Sequence, residues 1–167
     1  MRPKRARRPD DENAVREKAL ELLEYRSHAA KELSRKLFLR GYDAAAIRSV
    51  VAGLLEAGLL DDQKFAEEYA GGRLSMRPQG ARLLVSKLMA RGVVKKTAEA
   101  AVEKALEGRD EVELAVSSAR GYLKRYGGGP LDAGRARNLQ AYLARRGFDF
   151  DTISAAVRAV GAAEEEP

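Results

Sequence analysis

The chain has no cysteine, no tryptophan and a single histidine, His28, among its 167 residues. Disulfides and thiol chemistry are thereby excluded, and no Cys/His set is available for a structural zinc. Proline is sparse, with five residues, and no alternating run rich in Val, Ile and Thr predicts a strand. No apolar run reaches the roughly 20 residues of a membrane-spanning helix. The basic start Met1–Pro9 is followed by no apolar stretch of the kind that marks a secretory signal. There is no Gly-x-x-x-x-Gly-Lys-Ser/Thr loop for phosphates and no Gly-x-Gly-x-x-Gly after a strand. His28 follows Ser27, a residue placed to cap a helix, and reads as a surface residue rather than a general base or ligand. These absences leave an enzyme nothing to work with. They predict a cytoplasmic, non-enzymatic protein without cofactor or metal.

A more local absence is that of acid. Between Glu68 and Glu99 there is no Asp or Glu, while Arg73, Arg77, Arg82, Lys87, Arg91, Lys95 and Lys96 are all basic. The chain holds 31 basic and 25 acidic residues, a net charge of +6. Five of the basic residues lie in residues 1–9, and six of the acids are Asp10–Glu12 and Glu164–Glu166. The body from Asn13 to Ala163 therefore keeps 26 basic against 19 acidic residues, a net +7. The body is basic in its own right, an electrostatic footprint suited to a polyanion.

What is present is helical period. With 45% hydrophobic residues and only 6% aromatics, the core is one of Ala, Leu and Val. Val15, Ala19, Leu22 and Leu23 share one face of a first helix, and Leu33 and Leu37 one face of a second. In a third helix Ile47, Val50, Val51, Leu54 and Leu55 do the same. Ser27 and Asp43 are placed as N-caps, and Gly41 and Gly58 as stops. Asp61 or Asp62 opens the next helix as a cap rather than a metal pair, and Phe65, Ala66 and Tyr69 fall on its core face. Arg77-Pro78-Gln79-Gly80 breaks the chain before the helix Ala81–Arg91. The pattern recurs: Lys36-Leu37-Phe38-Leu39-Arg40-Gly41, Lys87-Leu88-Met89-Ala90-Arg91-Gly92 and Tyr142-Leu143-Ala144-Arg145-Arg146-Gly147 align, their glycines 51 and 55 residues apart. An apolar residue follows each glycine (Tyr42, Val93, Phe148), and Val51, Val102 and Val157 stand ten residues beyond it. In the last third a helix is predicted over 110–126, a flexible point at Gly127–Pro130, and caps at Asp132 and at Asp149 or Asp151.

This predicts an all-α chain of three tandem three-helix repeats: a disordered basic tail (1–12), repeats over 13–59, 60–108 and 109–161, and a disordered acidic tail (162–167). Repeats that touch mainly their neighbours make an elongated, curved molecule, on the order of 60–75 Å long from usual helix lengths and packing distances.

Leu60-Asp61-Asp62-x-x-Phe65-Ala66, then Arg73, then Arg77-Pro78-Gln79-Gly80, then Leu88-x-x-x-Gly92 resemble the signature of the RecX family, small bacterial regulators of the recombinase RecA. Upstream, Glu32-Leu33-x-x-Lys36-Leu37-x-x-x-Gly41-Tyr42 extends the likeness, which covers about residues 14–160. Gly71-Gly72 departs from it by interrupting the first helix of the second repeat, Val93-Val94 stands where the family favours Ile, and the third repeat matches by pattern alone. The resemblance implies a monomeric protein of DNA repair, homologous recombination and the SOS response. It would bind the RecA–DNA filament and restrain its extension, ATP hydrolysis, strand exchange and repressor cleavage.

Single- or double-stranded DNA could also meet the basic faces. The helix Ala81–Arg91 is the expected principal contact, because Arg82, Lys87 and Arg91 lie on the half of its wheel opposite Leu84, Val85 and Leu88. Lys31, Arg35 and Lys36 in the first repeat and Arg145 and Arg146 in the third come next. Two other readings stay open: a helix-turn-helix DNA-binding regulator, and a pure protein–protein adaptor.

Overall fold

Three glycines set the repeat in space. Gly41, Gly92 and Gly147 have φ of 88°, 93° and 87°, a left-handed conformation that side chains with a Cβ resist. Each ends a helix in the same way. Their amides donate to the carbonyls of Phe38, Met89 and Ala144 at 2.9, 2.8 and 2.9 Å. The amides of the following Tyr42, Val93 and Phe148 donate to Leu37, Leu88 and Leu143 at 3.4, 3.2 and 3.3 Å.

The computed structural model describes residues 10–126 and 131–165. Among them are nine helices and no strand: α1 Glu12–Tyr25, α2 Ala30–Phe38, α3 Ala44–Glu56, α4 Asp62–Met76, α5 Ala81–Met89, α6 Lys95–Leu106, α7 Glu111–Tyr126, α8 Ala133–Arg145 and α9 Phe150–Glu165. They group in threes, each helix packing chiefly on the other two of its unit. Leu33, Leu84 and Leu139, eight residues before the turn glycines, and Leu37, Leu88 and Leu143, four before, are all fully buried. They anchor three hydrophobic clusters in chain order. Truncating any of them to Ala costs about 2–5 kcal/mol. The middle cluster reaches into both neighbours, taking Ala29 from the first unit and Leu114 from the third.

Helix caps join the units. The residues before α2 and α5, Ala29 and Gly80, offer no side-chain cap, so the first free N–H groups of these helices need other acceptors. Each finds a carboxylate in the next unit. Asp62 Oδ1 accepts from the Ala30 amide at 2.7 Å, and Glu111 Oε1 from the Ala81 amide at 3.2 Å. In the last unit, α8 carries its own cap: Asp132 accepts from the amides of Gly134 and Arg135, both at 2.8 Å. The second junction is tightened by the Gly80 amide, which donates to Arg146 O at 2.9 Å. A Cβ at Gly80 would overlap the Gly147 carbonyl, and one at Gly147 would overlap Leu83.

Several local expectations are met. Asp43 caps α3 through the amides of Ala45 and Ala46, Asp61 caps α4 through Lys64, and Asp149 caps α9 through Thr152. Others are corrected. Ser27 does not cap α2; its Oγ donates to Glu68 Oε2 at 3.2 Å, because Asp62 already serves that helix. Gly71-Gly72 does not interrupt α4, which is held as a helix by the buried Ala70 and Leu74 on either side. The N-terminal tail ends sooner than expected, since Asp11 caps α1, and α9 extends through Ala162 and Ala163 to Glu165. The glycine run at 127–130 lies outside the described residues, as do residues 1–9.

Asp61 and Asp62 thus cap different helices, which can be measured. Asp62→Ala should cost about 1 kcal/mol of stability and speed hydrogen exchange at the Ala30 amide. Asp61→Ala should cost a similar amount and leave Ala30 exchange unchanged. Equal exchange at Ala30 in both variants would contradict the assignment.

Candidate functional site

The basic residues before each turn are fixed by the chain reversal they precede. Arg40 Nη1 and Arg91 Nη1 donate back to Lys36 O and Lys87 O, both at 2.9 Å, satisfying carbonyls left over at the helix end. The lysines turn the other way, towards the connection that enters their own helix. Lys87 Nζ donates to Gln79 Oε1 at 2.6 Å, and Gln79 Nε2 donates to Arg73 O and Arg77 O at 3.3 and 3.4 Å. Fifty-one residues earlier, Lys36 Nζ lies 2.7 Å from His28 Nε2, and His28 Nδ1 lies 2.8 Å from Arg26 O. With the ammonium as donor, His28 Nε2 accepts and Nδ1–H donates to the carbonyl. His28 and Gln79 do one job, linking a lysine to a loop carbonyl, and both are 2% exposed. His28 is therefore not the surface residue that its place beside Ser27 suggested. Its ring is the buried end of a polar relay.

Two clefts open where units meet. The first lies between the α1–α2 connection and α4, about 470 Å³ in volume, lined among others by Arg26, Tyr69, Arg73, Met76 and Arg91. The Tyr69 ring takes two guanidinium groups, Arg91 at 4.4 Å and Arg73 at 5.1 Å from its centroid. Phe65, expected on the same core face as Tyr69, is buried, while Tyr69 is only half-buried. The second cleft, about 320 Å³, repeats the plan one unit on, with Arg77, Tyr122, Arg125, Tyr126 and Arg146. Tyr122 contacts Tyr126 and Tyr142 at centroid distances of 4.9 and 4.6 Å. Arg146 lies over Tyr142 at 5.6 Å, and its Nε is buried without a hydrogen-bond partner among the described residues. Met76 and Tyr126, each the last residue of its helix, are 77% and 67% exposed, so each cleft presents an open apolar tip beside its arginines.

Like charges crowd between the clefts. Burial, then the positive neighbours Arg73, Arg146 and Arg91, hold the Lys87 ammonium below its ordinary value. The first cleft is partly neutralised by Glu68 and by the Arg26–Glu32 ion pair. No acid lines the second. Such a surface can hold phosphate or carboxylate groups and stack planar ones. Among the described residues, no cluster of His, Asp and Glu is arranged to hold a metal, and no helix is long and apolar enough to cross a membrane.

Comparison with known proteins decides the family. Residues 16–54 match the model of the first three-helix domain of RecX, and residues 61–102 that of the second. The regulatory protein RecX of Pelodictyon phaeoclathratiforme is 36% identical over 152 residues, spanning 89% of this chain and 92% of the relative. That of Stenotrophomonas maltophilia strain R551-3 is 39% identical over 155 residues, 92% and 91% of the two chains. The chain belongs to the RecX family. The crystal structure of RecX from Lactobacillus salivarius shares the fold, with a TM-score of 0.73 at 23% identity over 92% of this chain and 98% of that one.

In this RecX chain the basic residues of α5 do not share one outward face, as the sequence suggested. Lys87 and Arg91 turn inward and are half-buried, so reversing the charge of Lys87 would break the Gln79 contact rather than spare the fold. Arg82 is exposed on the other side of α5; the Asp149 carboxyl is held below its usual range chiefly by hydrogen bonds from the Thr152 amide and hydroxyl, to which the Arg82 charge adds. Arg73 and Arg91 belong to the first cleft, Arg77 and Arg146 to the second. Lys36 serves the relay to His28. Lys31 packs at the first junction against Gly92, and Arg35 and Arg145 are exposed. Lys95 and Lys96 open α6, Lys95 paired with Glu99 at 3.5 Å. Sequence reasoning missed Arg26, Arg125 and the tyrosines 122, 126 and 142. Arg26 was findable, since it precedes Arg77 by the same 51 residues that separate the first two turn glycines.

The relay makes the first unit pH-sensitive. Burial above all, helped by Arg26 and Lys36 and opposed by the Arg26 carbonyl and Glu32, holds His28 below its ordinary value of 6.5. The unfolded chain therefore binds a proton more readily than the native one. The contribution is complete above pH 6.5 and is lost as pH falls below it. The melting temperature should drop between pH 7.5 and pH 5. His28→Gln, which copies Gln79, should flatten that slope while preserving stability at pH 7.5. An unaltered slope would refute the relay.

Proposed function

We propose that this protein binds the RecA–DNA filament through its two junction clefts and restrains it. Filament extension, ATP hydrolysis, strand exchange and repressor cleavage are lowered, and the protein catalyses nothing itself. It acts as a monomer in the cytoplasm, within DNA repair, recombination and the SOS response. Membership of the RecX family supports the regulatory role. The contact surface rests on one observation: Arg77, Arg125 and Arg146 line the second cleft together, and no acid lines it with them. Like charges are costly to hold so close, and an anionic partner relieves that cost. The clefts carry tyrosines beside their arginines, which suits both DNA phosphates with their bases and the acidic surface of a protein filament. On this reading the repeated plan lets one molecule engage two neighbouring positions of a repeating partner.

A helix-turn-helix mode of DNA binding needs a helix whose first turn is open to base edges. The first turns of α2 and α5 are engaged by the following unit. The first turn of α6 is open and basic, with Lys95 and Lys96 exposed, so it is the surface to test against the clefts.

Arg77 and Arg125 are exposed at the second cleft, and surface charges alter folding by only about 0.5 kcal/mol. Arg77→Glu with Arg125→Glu should leave the thermal midpoint nearly unchanged. It should raise the concentration needed to inhibit RecA single-strand-dependent ATP hydrolysis at least about tenfold, or 1.4 kcal/mol. Lys95→Glu with Lys96→Glu should inhibit like the parent. The reverse pattern would favour the helix-turn-helix mode.

A further inference from the structure

We infer that the groove between α5 and α6 is a second docking surface, one that takes a basic amphipathic helix of another protein. This groove lies apart from the clefts. Along α5, Arg82, Val85, Ser86 and Met89 face it, while Lys87 points roughly half a turn away at 100° per residue. Its volume is about 860 Å³, and its floor is apolar: Val85 and Met89 from α5, Val102 and Leu106 from α6. Met89 is 45% exposed, a flexible side chain suited to repacking around a guest.

The charge of its rim selects the guest: three acids on the α6 side outweigh Arg82 on the α5 side. Glu99 and Glu103 stand a turn apart along the α6 wall and Glu107 directly follows its last residue, all exposed. Glu99 pairs with Lys95; Glu103 makes no ion pair among the described residues, and Glu107 adds to the field on Lys104. At the same register, counted from the turn glycines, the first unit has Arg48, Ala52 and Glu56, and the third has Ser154, Arg158 and Ala162. The acidic wall belongs to the middle unit alone, in a body that is otherwise basic. A guest with Lys or Arg spaced i, i+4 along a helix meets it turn for turn, its apolar stripe laid on Val85, Met89 and Leu106.

The molecule holds an internal example of such filling. Gly161 stands in the third unit where Leu106 stands in the second. Leu131, from the connection before α8, brings Cδ2 to 3.7 Å from where a Gly161 side chain would begin. An aliphatic side chain from outside the helix pair thus packs at that register. In the middle unit a partner would supply it.

The methionines allow a direct test, because Met1, Met76 and Met89 are the only three in the chain. Met89 lines the groove and Met76 the first cleft. The full chain, labelled at the methionine methyl groups, is titrated with a helical peptide of leucine and lysine in amphipathic order. The Met89 signal should shift to saturation while that of Met76 stays in place. Glu103→Lys with Glu107→Lys should weaken binding at least about tenfold, with the unchanged Met76 signal reporting an intact fold. The peptide with glutamate in place of lysine should leave Met89 unmoved. The inference is overturned if Met89 does not respond, if both peptides act alike, or if the charge-reversed variant binds as well as the parent. A Met89 shift on concentrating the protein alone would give the groove to a second copy of the chain instead.

Discussion

The structure depends on how the middle helix of each unit begins. A helix leaves its first amides without partners, and neither α2 nor α5 has a capping side chain of its own. Asp62 and Glu111 supply the acceptors from the next unit, so each of these units completes its hydrogen bonding only when its successor is folded beside it. Such a cap is worth about 1 kcal/mol, but its geometric effect is larger. It fixes the first helix of the following unit against the middle helix of the preceding one, and Gly80 and Gly147 allow the second junction to close to backbone contact. Serial order, with each unit bound to the next, follows from this local need.

The clefts are a consequence of the same junctions. Arg26 and Arg77 come from connections that enter a middle helix, Tyr69 and Tyr122 from the first helix of the next unit, and Arg91 and Arg146 from the turn that ends its second helix. The lysine relays stiffen the same connections: His28 and Gln79 are different residues meeting the same requirement for a buried acceptor facing a lysine and a donor facing a carbonyl. The two lysines are held in place by uncharged partners that cannot neutralise them, and no acid lines the second cleft, which is the arrangement a site for anions requires.

The repeat was legible in the sequence because it is written in local chemistry. A glycine with positive φ, an apolar residue after it and leucines four and eight residues before it are decided within one unit. So are the caps of Asp43, Asp61 and Asp132. What the sequence did not reveal is set by contact with a neighbouring unit. Ser27 has the right type and place for a cap, yet Asp62, 35 residues later, reaches α2 first. His28 looked exposed because its burial comes from packing between elements, not from its own helix. The basic half of α5 divides for the same reason, Arg82 facing outward near Asp149 and Lys87 drawn inward by Gln79.

The central claim is that the junctions carry the contact surface, and the footprint of a RecA–single-stranded DNA filament on this protein tests it most directly. Hydrogen–deuterium exchange would be compared with and without saturating filament. Protection should gather in the connections around Arg26–His28 and Arg77–Gly80 and in the last turns of α4 and α7, two patches one unit apart. Protection confined to the first turn of α6 or to the outer face of α3, with both connections unchanged, would contradict the account.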